Sequence, residues 1–292
     1  MKNLKRITAI IFSALIIMAA FAGCAKNEQA AEITKNTMII AYTEENAPFI
    51  YTDENGTLTG FDVELIENTF ESFKGDYKDY AFVKVDENYV LNEDTCYTDE
   101  NGNEFSAILM CGGTQKNVGT VNEDVNWSVN IIENNIITVV PANSEIKNYN
   151  DLKGAKVGVV TGIALDALNK NTTIKNNLAA VTEYASAEEA MAAFGNDVDA
   201  VVIEDFDFYN YAEENAASSA GYGYTVLNGA LDTVEYAFRF APSKDYSYGF
   251  NEAVREMQSA DYGDGDTLTP LVEKYFGYAD ACVFSYETDG DK

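Results

Sequence analysis

The 292-residue chain contains no histidine, and this absence removes several classes of chemistry. Ser-His-Asp and Cys-His catalysis both need an imidazole, and so does a His-ligated metal site. The chain has only four cysteines, too few for a disulfide framework. We therefore expect no metal and no cofactor. Cys96, Cys111 and Cys282 are expected as free or structural thiols, with a Cys96–Cys111 disulfide as the open alternative.

Positive charge is also scarce, with 19 basic residues against 48 acidic ones. Because three of the basic residues lie before position 24, the remainder of the chain has a formal charge of −32. Such a surface repels phosphate backbones, so we exclude nucleic acid as a partner. The acidic loops lack the ligand spacing of an EF-hand, and the 47% hydrophobic content argues against disorder.

The first 24 residues have the layout of an export signal. A basic start precedes an apolar run over residues 7–20, which is too short to span a bilayer comfortably. The small residues before Cys24 resemble the lipobox of bacterial lipoproteins, whose cysteine is lipidated and becomes the mature N-terminus. We predict a signal peptide over residues 1–23 and a lipid-anchored tether over residues 24–36, with plain secretory cleavage as the alternative. The protein would then be extracytoplasmic and anchored to the cell membrane.

Short apolar strands alternate with amphipathic helices along the rest of the chain, which predicts an α/β fold. Asn55-Gly56 and Asn101-Gly102 each indicate a hairpin turn. Residues 62–73 have apolar side chains at helical spacing, and Ser186 with Glu189 has the spacing of a capping box. Buried strands are predicted at TMIIAYT, IITVVP, VDAVVIE and EYAFRF.

Four ordered blocks resemble the extracellular solute-binding proteins of ABC importers, in the polar amino-acid-binding branch. The blocks are NAPFIYTDENGTLTGFDVELIENTF, DLKGAKVGVVTG, EYASAEEAMAAFGNDVDAVVIED and LTPLVEKYFG. The resemblance implies a two-lobed periplasmic-binding-protein-like fold, with two α/β lobes joined by two crossing strands, IITVVP and EYAFRF. Lobe one would comprise residues 37–133 and 234–292, and lobe two residues 140–233.

The same resemblance implies a non-catalytic receptor that binds a small polar solute, an amino acid or related amine, between its lobes. We expect a monomer that delivers this solute to an ABC permease in the membrane. Two alternatives stay open: a ligand-sensing lipoprotein that signals to a membrane partner, and a dehydratase-like enzyme built on the same fold.

The resemblance also implies which residues contact the ligand. In this family an arginine holds the ligand carboxylate, but no arginine follows Gly113-Thr114 here, and Lys116 is the only cation nearby. An acid after the VDAVVI strand holds the ammonium group, a role that Glu204 or Asp205 fits. The expected ligand-binding residues are Asn46, Phe49, Gly112, Gly113, Thr114, Lys116, Thr161, Gly162, Ile163, Ala164, Glu204 and Asp205.

Overall fold

The computed structural model describes residues 33–91, 93–116, 126–215, 223–258 and 266–277. The predicted signal peptide, the lipobox Cys24 and Cys282 lie outside these ranges. None of the helices in the described ranges is long and apolar enough to span a membrane. Ile33, at the end of the predicted tether, is already buried among apolar side chains, so the folded part begins before residue 37.

Sixteen strands and seven α-helices, together with a short 3-10 helix at Tyr149–Leu152, make up the described part of the chain. The strands are β1 Thr37–Tyr42, β2 Tyr51–Thr52, β3 Leu58–Thr59, β4 Asp79–Lys84, β5 Tyr97–Thr98, β6 Glu104–Phe105, β7 Leu109–Met110, β8 Gln115–Lys116, β9 Asn126–Trp127, β10 Ile132–Pro141, β11 Lys156–Val160, β12 Ala180–Tyr184, β13 Ala200–Glu204, β14 Tyr224–Val226, β15 Asp232–Tyr236 and β16 Arg239–Phe240. The helices are α1 Phe61–Phe73, α2 Ile163–Lys170, α3 Thr172–Lys175, α4 Ala187–Ala192, α5 Asp205–Glu214, α6 Ser247–Gln258 and α7 Leu268–Phe276.

Two mixed sheets organise these elements, as the predicted α/β class requires. The first sheet has the order β4-β1-β7-β16-β9, and the second has the order β12-β11-β13-β10-β15-β8, with β14 also paired to β10. In each sheet the strands linked through helices run parallel, as β1 does with β4 and β11 with β13. The predicted hairpins form the small pairs β2-β3 and β5-β6.

The chain passes between the two sheets at positions that differ from the sequence prediction. EYAFRF is not one strand, because β15 ends at Tyr236 in the second sheet and β16 begins at Arg239 in the first. IITVVP lies wholly within β10, which starts at Ile132 and stays in the second sheet. The chain therefore passes from the first sheet to the second between β9 and β10, before IITVVP begins. β8 also joins the second sheet, although the sequence analysis assigned it to lobe one.

Each sheet buries an apolar core. The first core packs α1, α6 and α7 on the first sheet through residues such as Phe61, Phe70, Phe240, Phe250 and Val272. The second core packs α2 on the second sheet through residues such as Ile136, Val157, Val159, Leu168 and Val202. A third cluster lies around α4 and α5, and a fourth includes Ile33 and Met110.

Two side chains from helices that follow strands of the second sheet reach the first core. Ile163, at the start of α2, packs against both the first and the second core. Phe206, in α5, belongs to the first core, and its ring centroid lies 4.7 Å from that of Phe276 in α7. The two cores are therefore in direct apolar contact.

The two cysteines in the described ranges are free thiols. Cys111 is buried, Cys96 is half-buried, and the Cys96–Cys111 disulfide that the sequence left open is not formed. Burial raises the pKa of the Cys96 thiol to about 11, so this group stays protonated near neutral pH.

Local backbone requirements explain the start of α1. Gly60 precedes the helix with φ at 131°, and a Cβ built there would lie 2.4 Å from the carbonyl oxygen of Phe49. That oxygen accepts the N–H of Asp62 at 2.9 Å, so the loop that carries Phe49 is tied to the helix start. Only glycine fits this position.

Gly60→Ala should destabilise the fold far more than Gly56→Ala. Both residues have positive φ, but a Cβ at Gly56 meets nothing within 4 Å. We expect a cost of about 3 kcal/mol or more at Gly60, where backbone must move, and about 1–2 kcal/mol at Gly56, where only conformational strain is added. Urea unfolding followed by circular dichroism measures both, and equal losses would contradict the steric account.

Candidate functional site

A polar pair lies between the two apolar cores on one face of β10. Ile132 of the first core and Ile136 of the second lie on the same face of this strand, because side chains alternate along it, and Asn134 lies between them. Ile136 pairs with Glu204 of β13, and Asn134 donates its side-chain N–H to a Glu204 carboxylate oxygen at 2.6 Å. The site therefore forms where the two cores meet.

The amide of Asn134 is only half satisfied. Its side chain is 1% exposed, and its Oδ1 oxygen has no hydrogen-bond donor. A buried acceptor without a donor costs about 1–3 kcal/mol, so a bound group that donates a hydrogen bond to this oxygen would be favoured. Burial, and then the charge of Asp207, raise the pKa of Glu204, while the Asn134 bond opposes the shift.

Tyr236 forms the wall of this site on the side of the first core. It pairs with Gln115 of β8 and lies on the same face of the second sheet as Asn134. Burial, and then the charge of Glu204, raise the pKa of Tyr236 to about 12, and hydrogen bonds with Asn134 and Gln115 oppose this. The phenol is therefore neutral at physiological pH.

Asp205 is held on the other side of the sheet. Its Oδ2 accepts a hydrogen bond from the side chain of Asn135 at 3.1 Å, and Asn135 accepts one from the hydroxyl of Thr233. Because Asn134 and Asn135 point to opposite faces of β10, their partners Glu204 and Asp205 do so too. Asp205 is 3% exposed, its Oδ1 has no partner, and burial raises its pKa to about 7.

A second buried carboxyl, Asp62, holds the loop after β7. It lies in the first turn of α1, and its Oδ2 accepts the N–H groups of Gly112 at 2.7 Å and Gly113 at 3.0 Å. Burial raises the pKa of Asp62 to about 7, although the two N–H groups favour the ionised form. Gly112 and Gly113 are predicted ligand-binding residues, and in the structure their N–H groups are bound to Asp62.

The other first-sheet candidates lie around this loop. Asn46 donates its side-chain N–H to the Gly112 carbonyl at 3.2 Å. Phe49 is 6% exposed and packs with its ring centroid 4.7 Å from Tyr236, which makes it a core residue. The Thr114 hydroxyl donates to the Cys111 carbonyl at 3.4 Å, and the Thr114 carbonyl accepts the N–H of Ala237 at 3.0 Å.

Lys116 points away from the Asn134–Glu204 pair. It pairs with Glu235, whereas its neighbour Gln115 pairs with Tyr236, so the two side chains lie on opposite faces of the sheet. Its ammonium group donates to the Oδ1 of Asn130 at 3.0 Å. The structure therefore does not bring Lys116 together with Glu204.

The candidates at the start of α2 lie at the end of β11. Thr161 is exposed and donates its N–H to the Tyr184 carbonyl at 2.9 Å, and Gly162 precedes the helix without a side-chain cap. Ala164 is buried in the second core. Ile163 packs against both the first and the second core, and its role as a ligand contact stays a prediction.

Sequence reasoning missed Asn134 and Tyr236. Asn134 carries little signal, because it is the middle one of three consecutive polar residues, Glu133 to Asn135, at the start of β10. Tyr236 carries none, since an aromatic residue in an apolar strand predicts only core packing. Within the described residues, no group of three or more cysteine, aspartate or glutamate side chains could hold a metal ion.

The buried Asp62 should make the fold less stable as the pH rises. Its folded-state pKa of about 7 lies above the ordinary 3.8, so the folded protein holds its proton more tightly than the unfolded chain does. Stability is therefore lost as the pH rises from about 4 to about 7. Asp62→Asn keeps an acceptor for Gly112 and Gly113, and it should lose less thermal stability than wild type between about pH 5 and about pH 8.

Asp53→Asn is the matched control for this measurement. Asp53 is exposed, and the N–H of Thr57 lowers its pKa, so it is ionised in both states across that range. Its pH profile should run parallel to that of wild type. A parallel profile for Asp62→Asn as well would contradict the account of Asp62.

The chain was compared with known proteins. No family model matches it. A probable amino-acid-binding protein of Bacillus subtilis (strain 168), YxeM, is 27% identical over 170 residues, which is 55% of this chain and 55% of that protein. The chain thus matches about half the length of this curated relative.

Two crystal structures show the same fold. A polar amino acid ABC uptake transporter substrate-binding protein from Streptococcus thermophilus aligns with TM-score 0.61 and 17% identity, covering 85% of this chain and 89% of that one. The L-cystine solute receptor of Neisseria gonorrhoeae, in an unliganded open conformation, aligns with TM-score 0.60 and 19% identity, covering 83% and 94%. The resemblance predicted from the motifs is thus confirmed, and the chain has the two-lobed α/β fold of the substrate-binding proteins of ABC transporters.

Proposed function

We propose that this protein is a lipid-anchored, extracytoplasmic receptor of an ABC importer that binds a small polar solute, an amino acid or related amine, between its two lobes. The observation that carries the proposal is the Asn134–Glu204 pair, which lies where the two cores meet and leaves a buried acceptor without a donor. The similarity to YxeM and to ABC substrate-binding proteins supports the transport role. Neither a sensor nor a dehydratase is favoured by these relatives.

The chemistry of the pair suits an amino group. An ammonium group has three donors and no acceptor, so one group can satisfy both the Glu204 carboxylate and the Asn134 oxygen. A charged donor to a carboxylate makes a stronger bond than a neutral one, and the buried setting strengthens it further. Because burial raises the pKa of Glu204, a bound cation would also stabilise its ionised form.

The two lobes would act by closing on the solute. In hinge-type binding proteins, ligand contacts on both lobes favour the closed form. Here the chain passes between the sheets at residues 128–131 and 237–238, and also between β7 and β8 at residues 111–114. Small rotations at these passages would open the site.

Glu204→Gln should abolish most of the affinity for the solute. The ligand is first found by a thermal-shift screen of the twenty amino acids and related amines. At one hundred times its dissociation constant it should stabilise the fold by about 2.7 kcal/mol, which is roughly 5 to 10 °C in Tm. Losing the carboxylate should then weaken binding at least about thirtyfold, since the bound cation loses its counter-charge.

Glu183→Gln is the control, because Glu183 is an exposed acid on β12 of the same sheet. Its affinity should equal that of wild type in isothermal titration calorimetry. Full affinity in Glu204→Gln would place the site elsewhere.

Cys24→Ser should release the protein from the membrane or leave its precursor uncleaved. The motive is the basic, apolar and small-residue order before Cys24. Stable anchoring requires more than one acyl chain, which a lipidated N-terminal cysteine provides. Detergent-phase partitioning measures the effect, and equal aqueous partitioning of wild type and variant would contradict lipid anchoring.

A further inference from the structure

We propose that the solute is an organic cation without a carboxylate, a primary amine or diamine, and not an amino acid. This inference rests on the proposed function and deepens it, because it names the ligand class of the same site. It follows from the balance between acceptors and donors around the Asn134–Glu204 pair.

Two acceptors are present, and one of them has no donor among the described residues. Glu204 supplies a carboxylate, and the Oδ1 of Asn134 lies in the same site without a donor, in a side chain that is 99% buried. The Tyr236 hydroxyl lies near enough to Glu204 for that charge to raise its pKa, and a cation bound beside the carboxylate would offset this repulsion. Each of these three groups favours an ammonium group.

The backbone donors that could hold a carboxylate are already used. Gly112 and Gly113 both donate to Asp62, which is itself an anion when ionised. The space around Asp62 and Gly113 is closed by Phe49, Phe61 and Phe238. A ligand carboxylate placed there would meet a like charge and aromatic side chains, and a buried carboxylate without a partner is costly.

The start of α2 does not replace these donors. Ile163 and Ala164 follow Gly162, so no hydroxyl supports the backbone N–H groups, and Asp166 places an acid in the first turn of the helix. A helix N-terminus attracts anions, but this acid competes for the same position.

Within the described part of the chain, three basic side chains come into question, and none of them is directed at the site. Lys116 points to the opposite face of the sheet and donates to Asn130. Arg239 pairs with Met110 and donates to its sulfur, away from the first core, and Arg255 forms an exposed ion pair with Glu252. Residues 117–125 and 216–222 contain no lysine, arginine or histidine. The formal charge of −32 further favours a cation over an anion as the solute.

Matched pairs of amino acids and their decarboxylated amines test the proposal directly. The pairs are lysine with cadaverine, ornithine with putrescine, arginine with agmatine, and histidine with histamine. Each pair differs only in the carboxylate, so the ratio of the two dissociation constants reports how the site treats that group. Isothermal titration calorimetry at about pH 8 measures the constants for wild type, Glu204→Gln, Lys116→Met and Glu183→Gln.

We expect at least one amine to bind at least ten times more tightly than its parent amino acid. Glu204→Gln should remove this binding, and Glu183→Gln should leave it unchanged. If the amino acid of each pair binds more tightly, the ligand-class proposal is wrong while the receptor function stands. If Lys116→Met no longer preferred the amino acid over its amine, Lys116 would be the partner of the ligand carboxylate, contrary to our proposal. If no amine and no amino acid binds, the proposed function itself fails.

Discussion

The alternation of side chains along β10 is the constraint on which the site depends. Odd and even residues of this ten-residue strand face opposite sides of the second sheet, so one face carries Ile132, Asn134 and Ile136 in sequence. The first and the last of these enter different cores. Any polar residue between them is buried where the two cores meet, and it must find its partner on a neighbouring strand. Glu204 is that partner, and a shift of one residue in the β10–β13 pairing would separate the two.

The residues around the first sheet fix the position of the loop after β7 and leave few groups free to bind a ligand. Asp62 uses one carboxylate oxygen to hold two consecutive N–H groups, and Asn46 holds the Gly112 carbonyl, so the loop after β7 is fixed on both sides. Fixing the loop uses the donors that an anionic ligand would need. On the first-sheet side of the site, the N–H groups of the loop after β7 have hydrogen-bond partners. On the second-sheet side, the side-chain oxygen of Asn134 has no donor among the described residues. This asymmetry favours ligands that donate hydrogen bonds.

The elements and the fold class could be predicted from the sequence, whereas the site could be predicted only in part. Helix α1, both hairpins and the strand–turn–helix at β11 and α2 follow local patterns that need no knowledge of the tertiary fold. Glu204 could be placed at a strand end from its motif. The break in the strand between Tyr236 and Arg239 could not be predicted, because EYAFRF contains no glycine or proline. The chain changes sheets there because of the tertiary fold. The faces of Lys116 and Asp205 depend on strand register, which one sequence does not specify.

The entry of Phe206 into the first core has a consequence for how the molecule comes apart. This ring lies 4.7 Å from Phe276, and Ile163 touches both cores, although both residues follow strands of the second sheet. If the second sheet unfolded, Ile163 and Phe206 would leave the first core and a cavity would remain there. These two residues are far apart in sequence. Separate unfolding of either half would expose apolar side chains of the other, and this shared burial favours loss of structure in a single cooperative transition.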